Sequence, residues 1–284
     1  MSNKIKEELI SVSKDIYDCR ACDFHNQLKK KNYYINPDPP SYEDTINEDH
    51  RVMVIGINPG YLEDDNYVSF KSCYEEDSYR GYSDCIVRVT KEYNNRNKTQ
   101  KIGPYQRNLT SLVNLLNREL KIFKNGDIQP AGIYQHVFWS NLCFCPSKNS
   151  HERIIDGKKF GCNIFSEEIH NCLEKKFLSR FIKLKKPEII IFFANTALQV
   201  INYKLLLKKL FNLDDYSNID EYNKELHPAY KNKKGKDIYV FIKACKIKQS
   251  MTKILFFPHP NYQFKKSNKK TAIKKVCQWF SKND

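Results

Sequence analysis

No stretch of the chain reaches the ~18 consecutive apolar residues that a membrane-crossing helix needs. The opening segment, MSNKIKEELISVSKDIYDC, is amphipathic and carries acids, so it lacks the apolar centre of a signal peptide. These absences predict a soluble, cytoplasmic protein with no membrane partner. In that compartment ten cysteines read as metal ligands or core thiols, not as a disulfide framework. No internal repeat is visible. Acids are in deficit: 33 Asp and Glu face 48 Lys and Arg, a formal charge of +15 spread along 284 residues. Codon bias in an AT-rich genome explains much of the Lys and Asn, but less of the sign imbalance, because such codons also encode Glu and Asp. The excess favours a polyanionic partner, nucleic acid first.

What is present is an alternation of apolar runs and helical patterns. Strands are predicted at 51–57, at 135–144 (QHVFWSNLCF), in PEIIIFFA (187–194) and in KILFFPHP (253–260). Between them lie helical stretches. PYQRNLTSLVNLLNREL places Leu109, Leu112, Val113, Leu116 and Leu120 on one face, with Pro104 at its start. FSEEIHNCLEKKFLSRFIKL reads as one helix with Ser166 as N-cap, and NTALQVINYKLLLKKL as one capped by Asn195. SNKKTAIKKVCQWF closes the chain as a helix. The pattern predicts an α/β fold of three layers, with a mostly parallel four-stranded central sheet and helices on both faces. It predicts one domain over 1–284, with insertions at about 61–103 and 212–250. The second would be charged, with a hairpin around KDIYVFIKAC.

Two constellations carry chemistry. Cys19 and Cys22 form a C-x-x-C whose thiolates can share one metal centre. Cys145 follows the second strand, and Cys172 lies in the helix beginning SEEIHNC. Four such thiolates suit Zn²⁺ or a 4Fe–4S cluster, and composition does not separate them. Cys162 is the substitute ligand, while Cys73, Cys85, Cys143, Cys245 and Cys277 read as core or surface thiols. The second constellation joins three strand ends: GINPG (56–60), Asn141 in WSNLC, and His259-Pro260-Asn261. Singly, each is more often a turn, a cap or a loop. In a parallel sheet all three share one edge, where open α/β sheets bind ligands.

Taken in order, these motifs resemble the uracil-DNA glycosylase superfamily, most similar in layout to its family 4, the iron–sulfur type. The C-x-x-C, Gly56 to Gly60 followed by Glu63 and Asp64, Gly103-Pro104-Tyr105 before a helix, SNLCFCPSKN with Asn141 and Cys145, Glu167-Glu168 with Cys172, and His259-Pro260-Asn261 match it through nearly the whole chain. The chain departs from it where family 4 carries Glu and Ala, having Ile57 and Asn58 instead. GINPG there resembles the mismatch-specific and single-strand-selective branches. The spacing from Cys145 to Cys172 is longer than the family pattern, and the two insertions have no counterpart in compact members.

The resemblance implies a DNA glycosylase that flips a uracil or modified pyrimidine from DNA and hydrolyses its N-glycosidic bond. Asn58 and His259 would be catalytic. Gly56, Ile57, Pro59, Gly60, Tyr61, Tyr105 and Asn141 would form the base pocket, and Lys265, Lys266, Lys269 and Lys270 would hold phosphates. Cys19, Cys22, Cys145 and Cys172 would carry a 4Fe–4S cluster, with structural zinc as the alternative. A monomer is expected. One rival keeps the fold but enlarges the pocket for a hypermodified base of phage DNA. Another is a non-catalytic, metal-stapled nucleic-acid binder.

Overall fold

In a computed structural model, residues 3–19, 21, 50–56, 104–144, 153–155, 158–160, 169–193, 202–222, 229–231, 237–239, 242–258 and 266–282 are described. The five residues of β1 (Val52–Gly56) are all buried, as their unbroken apolar run requires of a strand covered on both faces. The sheet around it has six strands, in the order β2-β1-β5-β10-β9-β6. β2 (Val137–Asn141), β1, β5 (Ile189–Phe192) and β10 (Thr252–Phe256) are mutually parallel.

The expected four strands are therefore joined by two more, both from the second insertion. β9 (Lys243–Ile247) runs antiparallel to β10, and β6 (Ile219–Glu221) antiparallel to β9. Their apolar content was masked by lysines: in KACKI, Ala244, Cys245 and Ile247 are buried, and so is Lys246. Two small hairpins stand apart, β3 (Arg153–Ile155) with β4 (Lys158–Phe160), and β7 (Ala229–Lys231) with β8 (Asp237–Tyr239). The expected insertion hairpin is thus β7–β8, while its downstream end enters the main sheet as β9.

Strand side chains alternate between faces, and the apolar residues divide accordingly into two clusters. Met53, Ile55, Phe138, Ile190, Phe192, Ile254 and Phe256 meet α1 (Asn3–Tyr17), residues 169–174, α4 (Phe177–Lys185) and α5 (Tyr203–Phe211). Val52, Val54, Val137, Ile189, Ile191 and Leu255 meet α2 (Pro104–Leu120) and α6 (Lys266–Lys282). The short α3 (Ile133–His136) leads directly into β2. Between α2 and α3, two asparagines hold the connection. Asn114 exchanges hydrogen bonds with Ile128 at 2.8 and 2.9 Å, and Asn117 donates to the Gly126 carbonyl while accepting from the Phe123 amide, both at 2.7 Å.

Two helices differ from the sequence pattern. The helix carrying Cys172 is interrupted at 175–176, where Lys176 adopts a left-handed φ of 58° and α4 starts afresh. The helix before β6 has Asn202 as its N-cap, accepting from the Lys204 amide at 2.8 Å. Asn195 lies outside the described residues.

Candidate functional site at the carboxyl edge of the sheet

Adjacent strands β1 and β2 end level, with Gly56 paired to Asn141 and the Leu142 amide donating to the Gly56 carbonyl at 3.0 Å. The next described helix after β1, α2, packs on one face of the sheet, and residues 169–174 and α4, after β2, pack on the other. In open α/β sheets a switch of this kind between neighbouring strands is where ligands bind.

Gly56 and Asn141 share one face there. A Cβ at Gly56 would lie 2.7 Å from Asn141 Oδ1 and 3.4 Å from the Trp139 ring, so only glycine admits that amide. Asn141 is buried as a residue, and its Oδ1 occupies the space that a side chain at position 56 would fill. Beside it runs an aromatic row on the same face: Trp139 to Phe193 with centroids 6.4 Å apart, then Phe193 to Phe257 at 6.5 Å. Sequence reasoning missed Trp139, Phe193 and Phe257. The period-two alternation of β2, with Trp139 two residues before Asn141, was the signal that could have found the first.

β10 delivers the third motif to this edge. The Phe257 amide donates to the Phe192 carbonyl at 2.8 Å, and buried Pro258 is the last described residue before His259. Asn58, His259, Ile57, Pro59, Gly60, Tyr61 and Lys265 lie outside the described residues. Tyr105 and Lys266 are described only as backbone, in the first turns of α2 and α6. Lys270 is exposed on α6. Lys269 is half-buried instead, with its ammonium donating to the Asn108 carbonyl of α2 at 3.3 Å and lying 5.9 Å from the Phe257 ring centre. Burial pulls its pKa down to about 8.

On the other face, Cys172 is buried and Cys19 packs against the same apolar cluster. Asn171 donates to the Ala21 carbonyl at 3.5 Å, drawing the C-x-x-C segment to the Cys172 helix. Phe144, one residue before Cys145, packs edge-on against Phe177 at the start of α4. Cys22 and Cys145 themselves lie outside the described residues, as do Cys73, Cys85 and Cys162. Three chain segments that carry or lead to thiol candidates thus anchor on one apolar face, and among the described residues no group of three or more metal-binding side chains is assembled. Ser140, placed by alternation on that face, keeps a buried hydroxyl with no hydrogen-bond partner among the described residues. Cys245 and Cys277 are ordinary core thiols, their pKa values pushed up to about 12 by burial.

A polar network occupies the far end of the same edge. Glu221 of β6 accepts from Tyr203 Oη at 2.7 Å and pairs with Lys204 at 2.8 Å and Lys243 at 2.9 Å. Burial opposes its ionisation, yet these donors win and draw its pKa down to about 2.

Comparison with curated proteins gives no match. The family model described as the uracil DNA glycosylase superfamily matches residues 43–281, from before β1 into the last turn of α6. That match covers most of the 284 residues and all of the strand ends assembled at this edge. The chain belongs to the uracil DNA glycosylase superfamily.

Proposed function

We propose that the protein is a DNA glycosylase of the iron–sulfur type, a single domain of three layers, which extrudes a pyrimidine from DNA and hydrolyses its N-glycosidic bond. The observation that carries this reading is the pairing of Asn141 with Gly56 at the sheet edge, where the missing side chain of Gly56 makes room for the Asn141 amide.

An amide fixed there can accept from uracil N3–H through its oxygen and donate to O4 through its nitrogen. Cytosine presents the reverse polarity at both positions, which leaves the amide unpaired at a cost of roughly 1–3 kcal/mol. Tyr105, from the first turn of α2, would stack on the pyrimidine face. Pro59 and Gly60 would shape the turn and admit the DNA backbone, with Ile57 and Tyr61 walling the base. Bond cleavage places negative charge on the departing base and positive charge on the sugar. His259 would donate to O2 of the leaving pyrimidine, a preorganised contact of a kind commonly worth about 10²–10³ in rate. Asn58 would orient the water that captures the sugar; an amide positions water but removes no proton, so chemistry slower than with a carboxylate is expected. Lys265, Lys266 and Lys270 would neutralise phosphates beside the flipped nucleotide.

Cys19, Cys22, Cys145 and Cys172 would hold a 4Fe–4S cluster, or zinc, between the end of α1 and the Cys172 helix. When bound, the group supplies a covalent brace between distant loops, not redox chemistry for glycosidic cleavage.

The placement of the second insertion supports a bulkier substrate as the second reading. β9 pairs directly with β10, the strand leading to His259, so insertion residues border that side of the edge. A hypermodified base of phage DNA would then be the substrate and defence the role. Chromatographic detection of free base from uracil-containing DNA and from DNA with modified cytosines tests both readings. Release of uracil supports repair; release of the modified base alone supports defence. Absence of both would leave only a binding role.

A further inference from the structure

We propose that Lys269 is the nucleophile of a second activity, in which its side-chain amine attacks the C1′ aldehyde of an abasic deoxyribose and cleaves the strand by β-elimination. The placement of the residue carries the inference. Lys269 stands in the first turn of α6, the helix that follows the His259 segment, on the face of the sheet that bears Gly56 and Asn141. Its ammonium lies between the Asn108 carbonyl, 3.3 Å away, and the Phe257 ring, 5.9 Å from the ring centre. Phe257 is two residues before His259 and ends the aromatic row that begins at Trp139.

Three half-buried lysines among the described residues have a carboxylate to hold their charge. Lys243 and Lys204 pair with Glu221, and Lys209 with Glu174. Lys269 has only a peptide carbonyl among the described residues, and no charged group offsets the burial that depresses its pKa. A lysine desolvated in this way keeps a usable fraction of free amine near neutral pH, the condition for forming a Schiff base.

The chemistry balances without an oxidant or a metal. The abasic sugar opens to its aldehyde, the Lys269 nitrogen forms a bond to C1′, and the carbonyl oxygen leaves as water. The resulting iminium acidifies C2′, which loses a proton to solvent. That electron pair forms the C2′–C3′ double bond as the C3′–O bond breaks and the 3′ phosphate departs. Water then hydrolyses the imine, releasing an unsaturated aldehyde and regenerating the amine. The proposal rests on the glycosylase reading only for the supply of an abasic site.

A duplex with a preformed abasic site removes that dependence. The purified full chain is incubated with it, with and without borohydride, which reduces the imine to a stable cross-link. The expected result is strand cleavage and a protein–DNA adduct whose peptide mass places it on Lys269. Lys269→Met and Lys269→Arg should lower adduct formation at least tenfold, whereas Lys274→Met, an exposed position on the same helix, should not. Absence of an adduct from the wild-type chain, or an adduct mapped to another amine, would overturn the proposal. If Lys269→Met does not fold, the adduct map of the wild-type chain decides alone. Loss of base release with retained trapping would sink the glycosylase reading and leave this one standing.

Discussion

At Gly56 one methyl group separates an occupied amide position from a blocked one. A Cβ there meets Asn141 Oδ1 at 2.7 Å, so Gly56→Ala must push the amide aside. Displacing a positioning group by about 1 Å can cost 10²-fold in rate, so excision should fall about 10–100-fold with little change in melting temperature. An unaffected rate would remove Asn141 from the pocket. Lys269 gives a second test at this scale. Its folded-state pKa of about 8 is below the ordinary 10.5, so the charged form is penalised below pH 8 and the penalty is relieved between pH 8 and 10.5. Lys269→Met should therefore stabilise the protein at pH 7, by on the order of 1–3 kcal/mol, and the gain should vanish by about pH 10.5 in denaturant titrations.

Elements differ in how openly the sequence announces them. α2 was legible to the residue, because Pro104 marks its start and its leucines recur at helical spacing. β1, β5 and β10 were equally plain, since a strand covered on both faces must be a continuous apolar run. β9 was not, because a strand near the sheet margin admits a half-buried Lys243 and a buried Lys246 into its run. The break at Lys176 carries no glycine or proline to mark it; an ordinary lysine is held in the left-handed region by its neighbours. Within the site, Gly56 and Asn141 could be named from motifs alone, but the aromatic row and the inward turn of Lys269 depend on tertiary packing. The β6–β9–α5 junction also makes its own prediction. Glu221 has a pKa lowered from 4.5 to about 2, so its contribution to stability is complete above pH 4.5 and is lost as pH falls toward 2. Glu221→Gln should lower the melting temperature at pH 7, and the difference from wild type should close progressively in acid.

Across the whole molecule, the two faces of the sheet divide the labour. The α2–α6 face carries the aromatic row, Asn141 and the basic start of α6, while the α1–α4 face gathers the candidate thiolates. If Cys19 and Cys172 hold an iron–sulfur cluster, anaerobically purified protein should be brown and contain about four irons per chain. Cys19→Ser together with Cys172→Ser should abolish the colour and lower thermal stability, with metal analysis distinguishing iron from zinc. The positive charge of +15 belongs to this scale as well, and DNA affinity measured by titration at rising salt is expected to fall steeply.

The most direct test of the glycosylase account is a gel assay for alkali-labile abasic sites. It uses the intact protein on uracil-containing, modified-cytosine and unmodified DNA, with His259→Ala as the comparison. Abasic sites are expected on uracil or modified DNA and none on unmodified DNA, with a loss of about 10²–10³ in rate for His259→Ala. DNA binding without abasic sites on any substrate, or an undiminished rate in His259→Ala, would contradict it.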